Sequence, residues 1–255
     1  MKYKQQFGML INNCGNWLIY IKDFKEKVIA IILKKYRKFL LNYNFKKGRF
    51  IMKENLIEYL RSITVASYIV IINPLRRVPR RIGGNAMRHS LSCFNILLDY
   101  EIYDSLALKV ALCHDLLEDH PDKDWNLDYI KRQIYEADEE GPLVLDRVIE
   151  LTKRDDETKE QYLIRLINST YDRVKIVKGA DRIANLTDLN TDFTDLHKIK
   201  LAIEQTRDLV IPILNSVQNR YEKQANFMIT ELKDLISNRL KIINKFEYHK
   251  EENNK

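Results

Sequence analysis

The run ALCHDLLEDH, residues 111–120, places a histidine, an aspartate and a Glu-Asp pair at the end of an apolar stretch. If residues 104–119 form a helix, Leu106, Val110, Cys113 and Leu117 line one stripe, and Ala107, Ala111, His114 and Glu118 line the next. His114 and Glu118 are then i,i+4 neighbours, Asp115 and Glu118 are i,i+3, and Asp115 and Asp119 are i,i+4. The four polar side chains would surround one point. Imidazole and carboxylate together suit a borderline-hard divalent metal. Glu118 and Asp119, further along, have the chemistry to handle a metal-activated water. The simpler alternative makes the same charges the solvated end of a core helix.

Two other segments carry groups of the same kind. AMRHSL, residues 86–91, puts His89 on a helix that follows a glycine loop. VKGADRIANL, residues 177–186, sets Asp181 among Ile176, Val177, Ala180, Ile183, Ala184 and Leu186, with Asn185 one turn later. A carboxylate buried there without a partner is costly. An ion pair with Lys178 or Arg182 relieves that cost, and so does a metal.

The elements that must position these groups are predicted to be helices. The chain of 255 residues has only 7 glycines and 5 prolines, so long stretches lack the punctuation that strands and tight turns need. NPLRRVPRRIGGN, residues 73–85, is a loop that carries Arg76, Arg77, Arg80 and Arg81. Helices are expected over 86–99, 104–119, 126–138, 142–152, 157–171, 172–187, 194–210 and 213–247. The fold class expected is all-α. The domain plan is a basic extension over 1–51, a catalytic bundle over 52–215 and a C-terminal helix over 216–255, with Met52 open as a start.

Hydrophobic residues make up 45% of the chain, enough for a core. The net charge of +7 is unevenly placed: residues 1–50 hold 12 Lys/Arg against 2 Asp/Glu, and the rest holds 31 against 34. A near-neutral body does not resemble a nucleic-acid surface. Residues 17–43 mix aromatics, aliphatics and lysines, either as an amphipathic helix for a membrane or a partner or as a helix docked on the domain. A homodimer is left open. Three cysteines, Cys14, Cys93 and Cys113, make neither a disulfide framework nor a zinc finger, which fits a reducing, cytoplasmic setting. No apolar run is long enough to span a membrane, and the N-terminus lacks a signal-peptide pattern.

The order His89, His114-Asp115, Asp181 resembles the metal-binding signature of the HD-domain phosphohydrolases, and most closely that of the RelA/SpoT-type alarmone hydrolases and their small single-domain relatives. HDLLED is similar to that group's HD-x-x-ED box, and VKGADRIANL to its K-x-A-D-R-x-x-N segment. VIELTK, residues 148–153, is similar to its V-x-x-x-T-K stretch, and RRIGGNAMRH, residues 80–89, to its R-x-x-G…H loop. The resemblance covers about residues 75–190. It departs in PLRRVPR where the family has His-x-Gly-Gln, in NAMR where it has PY, in Ser90 where it has proline, and in Asp188 where a threonine is common. These positions touch no expected ligand and bear on base recognition.

The resemblance implies an HD-domain helical bundle in which His89, His114, Asp115 and Asp181 hold one divalent ion, usually Mn2+. It implies that Glu118 and Asp119 position and activate water, and that Arg80 and Arg81 face the base, unless they are simply solvated. Asn185 would contact the nucleotide, with Lys178 and Arg182 near the site. The implied reaction is release of pyrophosphate from a nucleotide 3′-diphosphate such as (p)ppGpp. About 65 residues follow Asn190, too few for the synthetase domain of long bifunctional relatives. The alternatives are an HD phosphohydrolase acting on NADPH or a deoxynucleotide, and a non-catalytic module that binds a nucleotide or partner.

Overall fold

A computed structural model of the chain describes residues 64–80, 83–119, 127–189 and 196–253, with side chains described as far as residue 245. The basic extension 1–51, the segment around Met52, and Arg81 lie outside the described residues. The chain divides into two compact units, Met1–Ala66 and Ser67–Lys255. The regular structure among the described residues is helical, with no strand and one isolated bridge between Pro79 and Asn85. The chain is all-α over these residues.

The helices are α1 (residues 64–71), α2 (Ala86–Asp99), α3 (Ser105–Cys113), α4 (Leu127–Tyr135), α5 (Gly141–Leu151) and α6 (Lys159–Ile167). They continue with α7 (Asp172–Asp188), α8 (Leu196–Gln205), a π-helical turn Thr206–Val210, α9 (Ile211–Asn215) and α10 (Glu222–Asn253). Side-chain caps set several starts. Asn85 accepts from the Arg88 N–H before α2, Asp104 from Ala107 before α3, and Thr158 forms a capping box with Gln161 before α6.

α7 is the axis of the second unit. Twelve of its seventeen residues are buried, and α2, α3, α5, α9 and α10 all pack on it. Its buried positions include Lys175, Lys178, Asp181 and Arg182 as well as apolar residues, so this central helix carries charge into the bundle. Gly179 lets its neighbours close in: a Cβ there would stand 2.8 Å from a Leu214 methyl and 3.2 Å from Met228 Sδ. Arg239 of α10 donates to the Leu186 carbonyl, tying α10 to the far end of α7.

Two predicted helices differ from those observed. The helix expected over 104–119 stops at Cys113, and residues 114–118 are turns. The cause is local: His114 Nδ1 lies 2.8 Å from the Ala111 carbonyl and takes the acceptor that the helix would offer to the next turn. The chain then tightens, with Leu116 N–H on Cys113 O and Glu118 N–H on Asp115 O. The helix expected over 213–247 is broken between Asn215 and Glu222 by an extended Gln218 and a short 3-10 turn, Asn219–Tyr221. Asn219 sits at φ +56°, a conformation asparagine tolerates, and the break tucks in Val217 and Tyr221, both buried.

Candidate metal centre

Three helices deliver the candidate ligands. His89 lies in the first turn of α2, His114 and Asp115 open the turn that follows α3, and Asp181 stands mid-way along α7. His89 Nε2 is 3.1 Å from an Asp181 oxygen and 3.6 Å from an Asp115 oxygen. His114 Nε2 is 3.1 Å from the other Asp115 oxygen and 3.8 Å from Asp181. The two imidazole rings are 5.3 Å apart. The fold therefore brings together all four residues that the sequence singled out as ligands.

The tautomer of His114 follows from its neighbours. With Nδ1 set against the Ala111 carbonyl, Nε2 is the nitrogen that faces the centre. That nitrogen is buried and makes no hydrogen bond among the described residues, although Asp115 lies within ion-pair distance. An unpartnered imidazole nitrogen facing carboxylate oxygens calls for a proton or a cation between them. Burial would depress the His114 pKa, but the Asp115 and Asp181 carboxylates outweigh it and push the pKa up to about 10. Asp181 is held well below the usual carboxylate range: burial opposes this, and Lys178 foremost overcomes it. Asp115 is also lowered, burial opposing and His114 prevailing. A divalent cation fits this donor set of two imidazoles and two ionised carboxylates.

Of the two solutions considered for Asp181, the ion pair goes to Lys178, whose ammonium lies 2.6 Å from one oxygen, while the other oxygen faces the histidines. Asn185 donates to Asp181 at 2.5 Å and accepts from Arg80 at 2.6 Å. Lys178, Asn185 and Arg80 thus buttress Asp181 and also line the cleft over the centre. Arg80 rides on a tight loop: Pro79 bridges Asn85, and Gly83 and Gly84 take φ of +93° and +75°. Arg182 is buried, with Nη1 3.5 Å from the Ala202 carbonyl and Nε without a partner among the described residues.

A cleft of about 480 Å3 opens over the centre, and Glu118, Asp119 and Arg182 stand on its wall. Glu118 is exposed and held by the Lys153 backbone N–H at 2.7 Å. The Asp119 pKa is raised, first by burial and then by Asp115. Sequence reasoning gave no role to Lys159, Tyr162 and Lys198, which also line this cleft. They lie in no quoted motif, and their approach depends on how α6 and α8 fold back. The crowding around Lys159, and then Lys178 beside it, lower its pKa to about 8. Lys153 belongs to VIELTK, so the motif was visible but its task was not.

No family model matches the sequence, and no curated protein is similar enough to it to count as a match.

Proposed function

We propose that this protein is a metal-dependent phosphohydrolase of the HD-domain type, akin to the RelA/SpoT hydrolases, that releases pyrophosphate from a nucleotide 3′-diphosphate such as (p)ppGpp. The observation that carries the reading is the buried, unpartnered Nε2 of His114, set among His89, Asp115 and Asp181 at the floor of a cation-lined cleft. His89, His114, Asp115 and Asp181 would hold one divalent ion, manganese by resemblance. Such an ion supplies Lewis acidity, offsetting phosphate charge and making water more acidic.

The chain's own groups do the rest. Lys159, Lys198 and Arg182 offer positive charge to the diphosphate. Glu118 is pinned through its Oε1 to Lys153 N–H, which leaves its second oxygen to orient water. Asp119, whose burial favours the protonated form, is suited to take a proton and return one. As water attacks phosphorus, the P–O bond to the ribose breaks, a proton returns to the 3′-oxygen, and pyrophosphate departs.

Arg80 favours a second reading, an HD phosphohydrolase acting on another nucleotide. Its guanidinium lines the cleft but already spends a hydrogen bond on Asn185, so less of it is left for a base. Phosphate and pyrophosphate release from a nucleotide panel, with and without manganese, decides between them. Manganese-dependent pyrophosphate from 3′-diphosphates is expected. Release from other nucleotides alone moves the substrate, and no release from any by metal-loaded protein leaves a binding module.

A further inference from the structure

The centre contains a donor that the hydrolase reading leaves unused. Cys93 stands four residues after His89 on the same face of α2, with Sγ 3.7 Å from His89 Nε2. Ligand atoms of His89, Cys93, His114 and Asp181 all lie within 4.8 Å of one another, and all four residues are buried. The unpartnered Nε2 of His114 is aimed into the same space. Asp115 is placed differently: its two oxygens are split between the two histidines, and its side chain is 23% exposed toward the cleft.

We infer that Cys93 is a metal ligand, joining His89, His114 and Asp181 in a sulfur-containing set beneath the cleft, with Asp115 at the side open to the cleft. The inference rests on the metal reading above and changes which ion the centre prefers. Thiolate favours softer, tetrahedral ions such as zinc, cobalt and ferrous iron, whereas an all-N/O set suits manganese. Binding breaks the S–H bond, forms a metal–sulfur bond and releases the thiol proton to solvent, in addition to any proton displaced from the histidines. Cys113, also buried, is outside the cluster and serves as the internal control.

The test is optical. Full-length protein is stripped with chelator and titrated with Co2+ without oxygen. The expected spectrum has cobalt ligand-field bands and a near-ultraviolet sulfur-to-cobalt charge-transfer band. That band should persist in the Cys14→Ala/Cys113→Ala double variant and vanish in Cys93→Ala, with folding followed by circular dichroism. Zinc affinity of Cys93→Ala should fall at least about tenfold, the scale on which even outer-shell partners act, and manganese affinity should change far less. Ligand-field bands without the charge-transfer band in the wild-type protein overturn the sulfur ligand and leave the metal site standing. A wild-type protein that takes up no cobalt overturns both.

Discussion

His114 differs in kind from Glu118, although only a few positions separate them. His114 Nε2 is buried against the Asp115 and Asp181 carboxylates, whereas Glu118 has a backbone partner and faces solvent. His114→Ala and Asp181→Ala should therefore abolish bound metal, which elemental analysis of the purified variants measures; undiminished metal in both refutes the ligand assignment. Glu118→Gln and Asp119→Asn should keep metal and fold but lose at least about a hundredfold in kcat, with KM changed much less. If the two carboxylates are only solvated charges, both amide variants stay fully active. The gathering of His89, His114, Asp115 and Asp181 was legible because imidazole and carboxylate in apolar surroundings are chemically conspicuous. Lys159 and Lys198 were not, since a lysine that reaches a cleft and one that reaches only water look alike until the helices close. Arg80 was legible as a loop cation, but not its turn inward to Asn185.

Among the elements, the loop between α5 and α6 sets the position of Glu118. Arg165 of α6 bonds Glu157 through two guanidinium nitrogens, at 2.6 and 3.1 Å, and donates to the Glu150 and Thr152 carbonyls. This clamp fixes the loop whose Lys153 N–H holds Glu118. Arg165→Gln should lower kcat several-fold with metal content unchanged; loss of metal would mean the clamp supports the bundle and not the loop. The Glu157 pKa is held down to about 2, chiefly by Arg165, from an ordinary 4.5. A depressed carboxylate stabilises above its unfolded value, so the clamp is intact above pH 4.5 and is lost as pH falls toward 2. Acid unfolding of Glu157→Gln should accordingly be flatter through that window, a difference that circular dichroism against pH detects. The start of α2 was legible after the glycine loop, whereas Asp104 and Thr158, which cap α3 and α6, fell inside the helices expected over 104–119 and 157–171. The end of α3 was hidden: neither glycine nor proline marks it, and it stops because a histidine ring captures the carbonyl of its own last turn.

For the molecule as a whole, candidate ligands from α2, the turn after α3 and α7 would make ion binding a cross-link within the second unit. An ion bound only by the folded state, at 100 times its Kd, adds about 2.7 kcal/mol of stability. Thermal melts with and without manganese should show a rise of several degrees that His114→Ala abolishes; an equal rise in that variant would place the binding elsewhere. Gly179 carries a different consequence. It lies two positions before Asp181, on the face of α7 pressed against Leu214 and Met228. A larger residue there has no room, and Gly179→Val should cost on the order of 1–3 kcal/mol by overpacking. It should also push α7, and Asp181 with it, toward the cleft. A position outside the candidate site thereby governs its geometry: a side chain at residue 179 can be accommodated only where Leu214 or Met228 has become smaller.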